Sequence, residues 1–124
     1  MAVRVQQDDF DVGAESRALQ GPAVGAIALF VGTVRSLSED DSVTAMTLEH
    51  YPGMTEAEIS RLEDAARARW PLLGVTVVHR VGRLLAGEQI VLVAVSSAHR
   101  QAAFDAAQYM MDFLKTDAPF WKAE

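Results

Sequence analysis

Ile90 to Val95 is a continuous apolar run with β-branched residues at alternate positions, and it constrains the fold more than any other stretch. A strand with water on one side alternates apolar and polar residues. This one does not, so both of its faces must be covered. The run leads straight into a helix. Ser96 and Ser97 are the expected N-cap, and Ala103, Ala106, Met110 and Phe113 repeat at three-and-four spacing until Pro119 forbids continuation. His99 and Arg100 are thereby placed in the first helical turn.

The preceding chain must supply the cover. Val3 to Gln6 reads as a short strand, Asp8-Asp9 as an acidic turn, and the residues up to Gly21-Pro22 as a short helix. Gly25 to Val31 is an apolar run of strand length. Gly32 interrupts it before Thr33-Val34-Arg35, which suggests a bulge or a close backbone approach that aims Arg35 out of the strand end. Ser36 to Ser42 is acidic and reads as a loop. Val43 to His50 alternates as a strand, and Pro52-Gly53 turns the chain. Thr55 and Glu58 have the spacing of a capping box on a helix whose stripe is Ile59, Leu62, Ala66 and Trp70, ended by Pro71. Val75 to Val78 is a further strand, followed by a turn at Ala86-Gly87. This order gives an α+β domain with a mixed, mostly antiparallel sheet, one unit over residues 1–124.

The helix after Val95 opens on two basic residues. A cation at a helix N-terminus costs ~0.3–1 kcal/mol, and an anion bound there reverses the sign. His99, Arg100 and the free N–H groups therefore suit a phosphate or a carboxylate; the alternative is that both side chains point into solvent. Of the 11 basic residues nine are Arg, and the two Lys, Lys115 and Lys122, flank Pro119. Lysine, unlike arginine, loses its proton when desolvated and so serves as acid, base or nucleophile. Phe120 and Trp121 beside Lys122 can supply desolvation. Lys115 is equally explained as a cation facing the negative end of its helix.

Composition excludes several classes. A formal net charge of −6 argues against a nucleic-acid or anionic-membrane surface, which needs a basic face. Val3 to Val5 is too short for a signal-peptide core and no apolar run reaches spanning length, so a cytoplasmic protein is expected. The chain has no cysteine, which removes disulfides and thiolate catalysis. His50, His79 and His99 lack metal-ligand spacing, so no metal site and no cofactor is expected. Ser96, Ser97 and His99 lack the Gly-x-Ser-x-Gly elbow of a serine hydrolase, and Gly82 and Gly87 make no dinucleotide fingerprint.

Five segments in order, Phe30-Val-Gly-Thr-Val-Arg35, Leu48-Glu-His-Tyr-Pro-Gly-Met54, His79-Arg-Val-Gly82, Ser97-Ala-His-Arg100 and Asp112-Phe-Leu-Lys-Thr-Asp-Ala-Pro-Phe-Trp-Lys122, resemble the large, catalytic subunit of molybdopterin synthase, the MoaE family. The resemblance runs from about Gly25 to the end. It implies an α/β hammerhead fold and a homodimer within a heterotetramer. The partner would be a small ubiquitin-like sulfur carrier whose Gly-Gly tail, as a thiocarboxylate, enters the large subunit. The implied activity is sulfur transfer to cyclic pyranopterin monophosphate, forming the molybdopterin dithiolene in molybdenum cofactor biosynthesis. A sulfurtransferase without a thiol has to receive sulfur from a partner, which is consistent with the missing cysteines. The other reading is a non-catalytic module of the same fold that binds a small anionic metabolite or a carrier tail.

Carried over by motif, the resemblance implies that Arg35, His99 and Arg100 bind the substrate's anionic and pterin groups. Lys115 would be the principal catalytic lysine and Lys122 its assistant, both also touching substrate. Thr33, Val34, Ala123 and Glu124 fall in matching binding segments. Family members often continue past the position of Glu124 with a polar, basic tail. His99 and Lys115 are sixteen residues apart on what reads as one helix, roughly 24 Å along its axis. One small substrate cannot touch both, so a common site requires two chains.

Overall fold

The computed structural model describes residues 2–35, 45–116 and 120–123, with Ala2 and residues 121–123 described by backbone alone. The expected loop at Ser36 to Ser42 lies outside these residues, as does Glu124. Two sheets carry the fold. The larger has the order β1 (Ala2–Gln6), β4 (Leu72–Arg80), β6 (Gln89–Ser97), β2 (Ala26–Thr33); β1 pairs parallel with β4 and the other ladders are antiparallel. The smaller is antiparallel throughout, in the order β5 (Gly82–Leu85), β3 (Ala45–His50), β7 (Phe120–Ala123).

The apolar run of β6 is covered on both faces. Val91, Val93 and Val95, with Val75 and Val77 of β4, share one core with α2 (Met54–Arg69) and α3 (Arg100–Thr116). Leu92, Ala94 and Val78 point the other way, to Phe10 and to Val12 and Leu19 at the two ends of α1 (Val12–Ala18). Period-two alternation thus splits one run between two apolar layers. On α2 the expected stripe is buried at Ile59, Leu62 and Ala66, with half-buried Trp70 packed beside it; on α3 Ala103, Ala106, Ala107, Met110 and Leu114 are buried. Phe113 packs half-buried against the same core. The alanines on α3 keep side-chain bulk out of the contact with sheet and helix, while Met110 fills the remaining space.

Three local expectations are corrected. Ser96 and Ser97 are not the N-cap of α3: both are buried in β6, laddered to Ile27 and Ala26, and the Ser97 hydroxyl donates to the carbonyl of His99. The ladder outcompetes capping, so the helix starts at Arg100 and His99 precedes it. The cap of α2 is at Gly53 with Glu56, not at Thr55 with Glu58, and it is half of a capping box because glycine has no side chain to return the bond. The Gly53 N–H donates to Glu56 Oε1 at 3.0 Å, the Thr55 hydroxyl accepts from Tyr51 N–H at 3.1 Å, and Glu58 pairs with Arg61. Finally, β4 runs on through His79 and Arg80, and β5 and β7 are strands that sequence pattern did not announce. Both are only four residues long, too short to display a period.

Candidate active site

Lys115 is exposed in the last turn of α3 and lines an open cleft of about 390 Å³ with Phe30, Ala107, Gln108, Met111 and Asp112. The helical members recur at three-and-four spacing, which puts them on one face above β2. Phe30 closes the floor from the strand. Its ring lies across Gly32, where an added Cβ would stand 3.3 Å from Phe30 Cε1 and 2.8 Å from Val91 Cγ1. The interruption at Gly32 is therefore a close approach. It is also a ladder irregularity, because the register of β2 on β6 shifts between Gly32 and Thr33.

Beyond that shift Thr33 and Arg35 are exposed and Val34 is buried. Both backbone groups of Val34 are already bonded: its N–H donates to the Glu88 carbonyl at 2.9 Å, and its carbonyl accepts from Gly87 N–H at 2.7 Å. Its side chain packs with Leu48 and Leu84. Val34 thus anchors the segment that presents Thr33 and Arg35. Leu48 is also the ladder partner of Lys122, and Thr47 of Ala123. The region at the exit of β2 thus packs on Leu48 of β3, which is laddered to Lys122 of β7, while Lys115 stands over β2 at Phe30.

His99 and Arg100 are not in that region. They are exposed where β6 leaves the sheet beside the start of β2. Gly25 fixes this junction. Its N–H donates to the Ser97 carbonyl at 3.0 Å, and a Cβ on it would stand 2.0 Å from the Ala98 carbonyl oxygen. No side chain fits there. Since α3 is unbroken from Arg100 to Thr116, the two groups of residues stand roughly 22 Å apart along it.

His79 and Arg80 of the motifs are structural. Arg80 is buried and donates to the carbonyls of Gln7 and Gln89 at 3.1 and 2.9 Å, with Glu88 Oε1 at 3.4 Å. His79 Nδ1 lies 2.8 Å from the Arg80 carbonyl, and the His79 ring stacks on Phe120 with centroids 3.8 Å apart and planes at 17°. Burial holds the imidazole down at about 4, against the hydrogen bond to Arg80, which pulls the other way. His79 is therefore neutral at physiological pH. Among the described residues, no three His, Cys, Asp or Glu side chains cluster closely enough to hold a metal, and no helix is long and apolar enough to cross a membrane.

Sequence reasoning missed Phe30, Gln108 and Met111 as site residues. Phe30 and Met111 were legible only as core. The available signal was their position relative to Lys115, since Gln108 and Met111 stand seven and four residues before it on the same helical face.

Relatives share this arrangement along nearly the whole chain. Residues 5–117 match the family model described as MoaE protein. The molybdopterin synthase catalytic subunit of Vibrio cholerae serotype O1 is 55% identical, over 98% of this chain and 82% of the relative. The solved molybdopterin biosynthesis MoaE protein of Burkholderia ambifaria MC40-6 superposes with a TM-score of 0.90 at 52% identity, covering 100% of this chain and 85% of that one. At the level of fold alone, so does a chain of the complex of subunits 1 and 2 of molybdopterin-converting factor from Helicobacter pylori 26695. Its TM-score is 0.80 at 22% identity, over 97% of this chain and 82% of that one. The chain belongs to the MoaE protein family.

Proposed function

We propose that this chain is the catalytic subunit of a cytoplasmic molybdopterin synthase. It moves sulfur from the thiocarboxylated Gly-Gly terminus of a small ubiquitin-like carrier to cyclic pyranopterin monophosphate, as one domain in a heterotetramer built on a homodimer. The apolar floor of the Lys115 cleft and its ammonium suit a flexible, small-residue tail that ends in an anion. Lys115 handles the proton as sulfur attacks and the ring phosphate opens, and Lys122 assists and neutralises charge. Arg35 holds an anionic group of the substrate, with Thr33 beside it and Val34 supporting both from the core. Ala123 and Glu124 contribute from the end of the chain.

The observation that carries the two-chain form of this reading is the continuity of α3, with Arg100 at one end and Lys115 at the other. His99 and Arg100 act on the same substrate only as residues of a second copy. Each site then pairs Arg35, Lys115 and Lys122 of one chain with His99 and Arg100 of its partner, and two-fold symmetry supplies two such sites. Incubation with cyclic pyranopterin monophosphate and thiocarboxylated carrier tests the activity, with molybdopterin followed by fluorescence of its oxidised derivative. Product formation is expected. A chain that binds both components and yields none contradicts the proposal.

A further inference from the structure

We infer that His79 is a positioning residue whose ring, stacked on Phe120, clamps β7 to the four-stranded sheet and thereby sets the place of Lys122. Among the described residues β7, four residues long, sits at the edge of the smaller sheet and is laddered to β3 alone. So short an edge strand is weakly held by its ladder alone. Its first residue, Phe120, crosses to the other sheet: the ring lies on His79 of β4 and stands 6.4 Å, between centroids, from its own ladder partner His50. The platform under it is rigid. His79 is buried in the sheet and oriented by the Arg80 carbonyl, while the Arg80 side chain is tied to the end of β1 and the start of β6 through Gln7 and Gln89. Two residues beyond Phe120 the backbone of Lys122 stands opposite Leu48. A neutral imidazole stacked face to face is a flat apolar surface for this purpose.

The catalytic consequence rests on the function proposed above, whereas the clamp itself does not. Hydrogen exchange of the β7 amides is measured in the full chain beside the rate of sulfur transfer. In His79→Ala the β7 amides are expected to exchange about tenfold faster or more while β4 and β6 stay protected. kcat should fall and KM for the pterin should hold. His79→Phe, which restores a ring without the imidazole, should recover both protection and kcat. Phe120→Leu, at a half-buried position, should reproduce His79→Ala without threatening the core. Unchanged β7 protection in His79→Ala and Phe120→Leu overturns the clamp, as does equal loss in His79→Phe. A loosened β7 with undiminished sulfur transfer leaves the clamp standing and overturns its role in placing Lys122 for the reaction.

Discussion

At its N-terminal end α3 emerges from a fully buried strand through a junction that admits no side chain on Gly25, and it presents His99 and Arg100 directly to solvent. At its C-terminal end the same helix stands over an open cleft, with Lys115 beside the apolar Phe30 and Met111. One end is a tight mount for His99 and Arg100, with an open pocket of about 300 Å³ lined by Gly21, Gly25 and Ile27 beside it; the other has an apolar floor under Lys115. The length of α3 keeps the two ends from sharing one small substrate within a chain. On the function proposed above, the contrast makes the two ends of α3 two halves of a site rather than a whole one.

Removing the amine at the walled end should have the largest effect. Lys115→Ala is expected to abolish product formation, a loss of about 10²–10⁴-fold for a missing proton-transfer group, with carrier binding and folding intact. Lys115→Arg should fail as well, because arginine keeps the charge but exchanges no proton near neutral pH. Substantial turnover in the arginine variant would reduce Lys115 to an electrostatic role. The mount should be broken by Gly25→Ala, whose Cβ meets backbone rather than a movable side chain. A stability loss of about 3 kcal/mol is expected in denaturant titration, at the upper end for overpacking. An unaffected midpoint would show that the junction yields.

Smaller effects separate the ends by ligand. Arg100→Ala and Arg35→Ala should each weaken substrate binding by about 1.5–3 kcal/mol while leaving carrier binding nearly unchanged, as calorimetric titration of each ligand reports. Equal losses for both ligands would assign the arginines to the carrier tail. The effect spread most thinly, over the acid range, concerns pH. Folding favours neutral His79, held at about 4 by burial, so the unfolded chain binds more protons between about 6.5 and about 4. Its contribution is fully present above about 6.5. Stability should fall as pH drops through that window, by up to about 1.4 kcal/mol per pH unit, and His79→Phe should flatten the fall. Parallel profiles for the two proteins would assign the acid sensitivity elsewhere.

Much of this fold was legible because its central strands advertise themselves. The Ile90 to Val95 run required two covered faces, and the structure supplies α2 and α3 on one and α1 on the other. The bulge at Gly32 and the stripes of both long helices followed from spacing. What sequence could not give was decided by competition between partners. Ser96 and Ser97 have capping chemistry, yet the ladder to β2 claims them. Thr55 and Glu58 have the spacing of a box, yet the helix is capped at Gly53 and Glu56, because Gly53, at φ 82°, turns the chain two residues earlier. Phe30 gave no sign of lining a cleft, since an aromatic residue in an apolar strand looks the same whether it faces a core or a groove. The two-ended character of α3 was legible, because helical rise converts residue separation into distance without any tertiary contact.

The sharing of one site between two chains is tested most directly by mixing Arg100→Ala and Lys115→Ala proteins under conditions that exchange subunits, at a substrate concentration too low for either protein alone to turn over. In a mixed dimer one site draws Arg100 and Lys115 from undamaged positions and the other collects both lesions. Equal mixing should therefore restore about one quarter of wild-type sulfur transfer, as two-fold symmetry requires. No recovery, in a sample where mixed dimers are demonstrated, would contradict the shared site and place the whole reaction within a single chain.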